Sequence, residues 1–315
     1  DALHIIEDTY HTRIEIVLAG QIDYAMDYPW IAAIKNFGGK FIVLNKESII
    51  YSPSFAEETV DLYKKDSFLY EGDAVLLYNL FAKELYMRAG AIEEKNSYVV
   101  GCPRVDRLIQ IGAHTRAKKP LVLLAAFLDP TYRAQQLWQE VLSSLYADLS
   151  LRSRIIIKCR DVREIPVIEK DFPDFHAVTG PMEKFLEMNP AVFVGFNSTA
   201  CLDALIAEIP LVVPWWAEAL GMEGESLLGP STSDFHALAR TPESFIKIIN
   251  ARLGDEETGV PSVSWRSNTR LRDFIETKYS SLDGKNCERF FAFIDGYGVK
   301  GAPVKSPDKS YGSAY

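Results

Sequence analysis

The sequence predicts an α/β protein made of two doubly wound, mainly parallel sheets that face each other. Three observations carry this expectation. Short apolar runs rich in β-branched residues alternate with helix-length segments in both halves of the chain. Several of those runs end in a polar turn that opens a helix, as strand-to-helix crossovers do. At 315 residues the chain also fits two domains of ordinary size better than one.

The alternation is sharpest at residues 191–214, AVFVGFNSTACLDALIAEIPLVVP. An apolar strand over 191–196 meets the break Asn197-Ser198-Thr199, a helix runs to Ala207, and a second strand ends at Pro214. A helix start of this kind offers backbone N–H groups, the positive end of the helix dipole and hydroxyl donors. Two readings stand: a seat for a phosphate, or an ordinary N-cap made by Asn197 or Ser198.

In chain order, residues 13–18 read as a strand, and 29–37 as a helix with Pro29 in its first turn and Gly38-Gly39 at its end. A buried strand over 40–44 delivers Asn45-Lys46-Glu47-Ser48, a charged cluster where α/β proteins place ligands. A helix over 55–70, a strand over 73–78 and a helix over 80–89 stopped by Gly90 follow. The strand 98–100 then hands over to Gly101-Cys102-Pro103-Arg104-Val105-Asp106. Residues 112–119 turn polar and basic and read as the interdomain linker.

The second half repeats the pattern, with strands at 121–126, 155–158, 176–179, 192–196 and 211–213 and helices near 131–148, 181–188, 199–207 and 242–252. Residues 268–279 and 286–294 are again helical, and the Gly-, Pro-, Ser- and Lys-rich stretch after 297 has little to bury. The expected organisation is a first domain over 1–116, a second over 117–280, a closing helix over 281–297 and a tail over 298–315.

Composition narrows the function classes. With 48% hydrophobic and 24% charged residues the chain is of soluble globular type. No apolar run approaches the ~20 residues of a membrane span. A net charge of −9 argues against a general nucleic-acid binder. Four separated cysteines without a CxxC pair fit reduced thiols in the cytoplasm, and the histidines share no metal-ligand spacing. The chain starts at Asp1, which leaves upstream targeting open.

Four stretches carry a resemblance. GFNSTACLDALIAEIPLVVP is similar to the donor segment of GT-B glycosyltransferases that build bacterial surface polysaccharides. VVGCPRVD resembles that group's GxPRxD turn, VLNKES its strand end in KE, and DGKNCER its closing DGxxxxR helix. Together they resemble the retaining β-Kdo transferases of capsule and O-antigen synthesis, with CDP-glycerol glycerophosphotransferases as neighbours. One departure is plain: where these families carry Lys-x-His-Pro, this chain has Lys158-Cys159-Arg160.

The resemblance implies an enzyme that moves Kdo or a related ulosonic acid from a CMP-activated donor to a glycan or lipid-linked glycan. Its place would be the cytoplasm, at a peripheral membrane assembly, with no metal or other cofactor. It implies Asp106 as nucleophile and Glu47 as acid/base, giving retention by double displacement. On the donor side it points to Asn197, Ser198, Thr199, Lys158 and Arg104, with Asp203 for a nucleoside hydroxyl or a structural partner. Plainer roles stand beside these: a salt bridge for Asp106 with Arg104 or Arg107, a helix cap or loop charge for Glu47, a structural place for Arg104. A CDP-polyol phosphotransferase and a non-catalytic nucleotide-sugar or glycan binder are the alternatives.

Overall fold

The computed structural model describes residue 9 and residues 14–46, 52–113, 119–125, 134–254 and 264–300. Glu47, most of the expected linker and the tail beyond residue 300 lie outside the described residues. The chain divides into two compact units, Asp1–Asp106 with Glu276–Tyr315, and Arg107–Ile275. This division ends the first unit ten residues before the expected boundary at 116, and it groups 276–297 with the first unit.

Unit one is a four-stranded sheet in the order β1 (Ile16–Ala19), β2 (Lys40–Leu44), β3 (Ala74–Leu77), β4 (Ser97–Val99). Every pairing in it is parallel. The connections carry α1 (Tyr28–Asn36), α2 (Pro53–Lys65) and α3 (Leu80–Arg88). Each helix has a local reason to start: Pro29 and Pro53 sit in first turns, and Ser52 and Asn79 accept N–H bonds from Phe55 and Ala82.

Right-handed crossovers that always step the same way along a sheet place all their helices on one face. That face holds Phe41, Val43, Val75 and Leu77 against Ile31, Ile34, Val60, Tyr63, Leu85 and Tyr86. The alternate residues Ile42, Ala74 and Leu76 point the other way and need a second cover. The C-terminal helix supplies it, packing Phe290, Phe293, Ile294 and Tyr297 there.

Unit two is a six-stranded sheet in the order β10-β9-β8-β5-β6-β7, all parallel. Its strands are β5 (Lys119–Ala125), β6 (Ile155–Lys158), β7 (His176–Val178), β8 (Pro190–Gly195), β9 (Leu211–Pro214) and β10 (Ala237–Ala239). Among them run α5 (Gln135–Ala147), α6 (Ile165–Asp171), α7 (Met182–Leu186), α8 (Thr199–Ile206) and α9 (Pro242–Leu253); α4 (Pro103–Ala113) and α10 (Thr269–Lys278) each span a boundary between the units, and α11 (Asn286–Lys300) is the cover of unit one. Strands β8 and β9 are buried along their whole length, as sheets clad on both faces require.

The strand order, read from the far edge, is that of a dinucleotide-binding sheet. The chain builds outward from β5 through β6 to β7, then returns to the other side of β5 and runs β8, β9, β10. The direction reverses between β5 and β8, and such a switch point leaves a crevice outside the strands' carboxyl ends.

Candidate functional site

The first strand-to-helix turn beyond the switch point is the one singled out in the sequence. Gly195 ends β8 where a Cβ would stand 2.6 Å from Cys201 Sγ and 2.9 Å from Phe193 Cε1, so the strand can pass under α8 only without a side chain. Asn197 adopts a left-handed conformation at φ +43, which turns the chain sharply into the helix. Ser198 is the N-cap: its Oγ accepts the Ala200 N–H at 3.3 Å and its carbonyl accepts the Cys201 N–H at 3.0 Å. Ser198 is buried and Thr199, the first helical residue, is half-buried. Both readings of the turn therefore share one residue, since the capping hydroxyl sits at the positive end of the helix.

Lys158 closes β6 on the same edge. Register pairs Ala125 with Lys158 on one side and with Gly195 on the other, so the three lie level. Lys158 and Gly195 are thus about 10 Å apart, two strand spacings. The next residue, Cys159, is buried, and burial first of all pushes its thiol up to about 11. Its N–H donates to Val178 O at 2.8 Å, which makes it a packing residue of the sheet. Arg160 donates its backbone N–H to Glu164 Oε2 at 2.7 Å, inside a capping box for the following turn.

Asp203 is buried within α8, at 1% exposure.

The loop after β9 shapes the site further. Asn197 Oδ1 accepts the Leu227 N–H at 3.0 Å. Gly229 lies over the Trp215 ring, where a Cβ would meet Cη2 at 2.8 Å. Thr232 Oγ1 bonds the Gly229 backbone and His236 Nε2, and His236 is buried, which lowers its pKa. On the other side, Glu218 accepts the backbone N–H groups of Gln136 and Leu137 at 2.7 and 2.8 Å, and Trp216 Nε1 donates to Glu140 Oε2 at 2.8 Å. Neither Glu218 nor the Trp216 partner Glu140 shows in the sequence pattern, because each of these bonds joins segments about eighty residues apart.

In unit one the expected site residues form a different object. Asp106 is buried; Oδ1 accepts the Asn286 N–H at 3.1 Å and Asn286 Nδ2 at 2.7 Å, and Oδ2 accepts the Cys287 N–H at 2.7 Å. It is the anion at the N-terminus of α11. The expected salt bridge to Arg104 or Arg107 is replaced by these helix N–H bonds, and both oxygens are committed, which gives no geometric support to a nucleophile.

Arg104 bonds the Tyr279 hydroxyl and lies 5.6 Å from that ring's centre, so its described contacts are structural. Cys102 donates its N–H to Ser280 Oγ at 2.8 Å, and Arg289 bonds Val100 O, Asn286 Oδ1 and Asp283. Gly101, at φ +83, is where any Cβ would collide with Asn286 Oδ1. The GxPRxD turn and the DGxxxxR helix are the two halves of one clasp.

No protein-family model matches the sequence, and no curated protein matches it. Solved structures do match in fold. A UDP-N-acetylglucosamine 2-epimerase from Listeria monocytogenes aligns with TM-score 0.51 at 13% identity, over 98% of this chain and 80% of that one. The wall teichoic acid polymerase TagF, soaked with CDPG, aligns with TM-score 0.53 at 11% identity, over 92% and 73%. The UDP-GlcNAc 2-epimerase of Methanocaldococcus jannaschii, in complex with UDP-GlcNAc and UDP, gives 0.50 at 14% identity, over 93% and 79%. Likeness at these identities is one of fold, and it bears out the expected class: α/β, of GT-B type, with two parallel-stranded Rossmann-like units. Among the described residues no helix is long and apolar enough to cross a membrane, and no group of three or more His, Cys, Asp or Glu could hold a metal ion.

Proposed function

We propose that the protein is a glycosyltransferase whose second unit holds the phosphate of a nucleotide-activated sugar at the N-terminus of α8. The observation that carries this reading is the placement of Ser198 and Thr199 beside the switch point of a sheet with dinucleotide-binding strand order. In transfer, an acceptor oxygen bonds to the anomeric carbon as the carbon–oxygen bond to phosphate breaks. The nucleotide leaves with that electron pair, and N–H and hydroxyl donors fixed at a helix start stabilise the growing charge. Lys158, level with Gly195, adds a cation on the same edge.

The resemblance in sequence favours a CMP-linked ulosonic acid such as Kdo as the donor and a surface glycan or lipid-linked glycan as the acceptor. Glu47 remains the acid/base candidate on sequence grounds. Double displacement through Asp106 is not part of the proposal, since that carboxylate caps α11. A second reading, transfer of a polyol phosphate from a CDP-linked donor, is favoured by the fold likeness to TagF soaked with CDPG. Calorimetric titration with CMP, CDP and UDP, followed by donor hydrolysis assays, tests the proposal. Binding of a cytidine nucleotide and slow release of sugar are expected. No binding of any of the three would remove it.

A further inference from the structure

Two helix N-termini flank the switch point of unit two, and only one of them is available to a ligand. The crossovers β5-α5-β6 and β8-α8-β9 step in opposite directions along the sheet. Right-handedness therefore puts α5 and α8 on opposite faces, with both N-termini at the carboxyl edge above the adjacent strands β5 and β8. A nucleoside diphosphate bound there would reach toward both.

The α5 terminus already holds an anion. Glu218 places its two oxygens on the Gln136 and Leu137 N–H groups at 2.7 and 2.8 Å, the posture of a bound phosphate oxygen pair. It is held there by more than its own bonds. Trp216 Nε1 donates to Glu140 Oε2 at 2.8 Å, Gln136 Nε2 donates to Glu140 Oε1 at 2.8 Å, and the Trp216 ring packs 5.8 Å from Phe245. Ala217, between the two anchoring residues, takes a left-handed φ of +47 to make the reach. The segment starts after β9 and ends on the helix after β5, and β8 is the strand between them. Glu218 and the turn that carries Ser198 and Thr199 thus lie at the same carboxyl edge of the sheet, at the ends of neighbouring strands.

We propose that Glu218 is a specificity-determining residue that restricts the donor to a nucleoside monophosphate-linked sugar. This deepens the reading given under Proposed function and rests on it. One phosphate is taken by the α8 terminus. A second phosphate reaching from that seat toward the α5 terminus would meet the like charge of the Glu218 carboxylate. A 10-fold loss of affinity corresponds to about 1.4 kcal/mol of such repulsion.

The test is titration of the full 315-residue chain with CMP and with CDP, in chelator, for wild type and Glu218→Gln. Wild type binds CMP at least about 10-fold more tightly than CDP. Glu218→Gln, with folding checked by thermal melting, closes most of that gap by gaining CDP affinity while CMP changes less than about 3-fold. Wild type supplies a second measurement that needs no variant: raising salt from about 20 mM to about 500 mM shortens the Debye length and narrows the CMP:CDP ratio. Equal affinity of wild type for the two nucleotides, or a ratio unmoved by both salt and Glu218→Gln, overturns the assignment and leaves the nucleotide site standing. Binding of neither nucleotide overturns the site itself.

Discussion

Replacing Asp106 by Asn separates a clasp from a nucleophile. The carboxylate accepts three N–H bonds, two through Oδ1 and one through Oδ2. Asn keeps one acceptor oxygen and turns an NH2 group toward a backbone N–H that has no other partner nearby. The unmet buried donor costs about 1–3 kcal/mol, and loss of the charge at the helix start adds about 1 kcal/mol. The sum, roughly 2–4 kcal/mol, falls on α11, whose Phe293 and Tyr297 cover one face of the unit-one sheet. Hydrogen exchange reads this locally: amides in 288–297 should exchange roughly 30- to 1000-fold faster, with little change at β8 and β9. Donor turnover should fall no further than the unfolded fraction explains. Unchanged exchange in α11 together with a loss of turnover beyond 100-fold would refute the clasp and restore Asp106 as a reacting group.

Three further outcomes follow from the same geometry. Ser198→Ala removes the α8 cap, costing about 1 kcal/mol of stability, and should weaken CMP binding at least about 10-fold by calorimetry if the hydroxyl also meets phosphate. Phe293→Ala, at a side chain 3% exposed, should cost about 3–5 kcal/mol in denaturant titration, whereas Phe291→Ala, 60% exposed, should stay within about 0.5 kcal/mol. His236 has a pKa lowered by burial from its ordinary 6.5, so its neutral form is favoured in the fold. Its contribution is therefore complete above 6.5 and is lost as pH falls below that value, while the unfolded chain takes up the proton. Melting curves between pH 7.5 and 5.5 should show a smaller acid loss in His236→Gln than in wild type.

Much of the fold was legible because it is written in local patterns. The β8–α8–β9 unit shows in an apolar run, a polar cap and a second apolar run, and the structure puts Ser198 at the cap. Shorter elements escaped for equally local reasons. Strand β10 is three residues, His236 to Arg240 offering no periodicity of its own, and exists by pairing with β9. Helix α4 was hidden because Pro103–Ala113 overlaps a motif read as a turn and a stretch read as linker, although Val105 and Leu108 are buried at helical spacing.

The candidate site was harder to read. Motifs at 101–106 and 283–289 suggested chemistry, but a sequence does not show that Asp106 meets Asn286 and Cys287 or that Gly101 makes room for Asn286. Those facts depend on α11 returning to the open face of a sheet whose other helices all crossed on the opposite side. Glu218 is invisible for the same reason, as a cap supplied from a distant loop. Arg160, in the position where the resembled families carry histidine, gives its backbone N–H to Glu164, and Cys159 before it is buried in the sheet.

A crystal structure with CMP bound would address the nucleotide seat most directly. The phosphate should lie within hydrogen-bonding distance of the Thr199 and Ala200 N–H groups and the Ser198 or Thr199 hydroxyl, with Glu218 still on Gln136 and Leu137. A nucleotide seated elsewhere on the protein, with the α8 terminus left to Ser198 alone, would contradict the account.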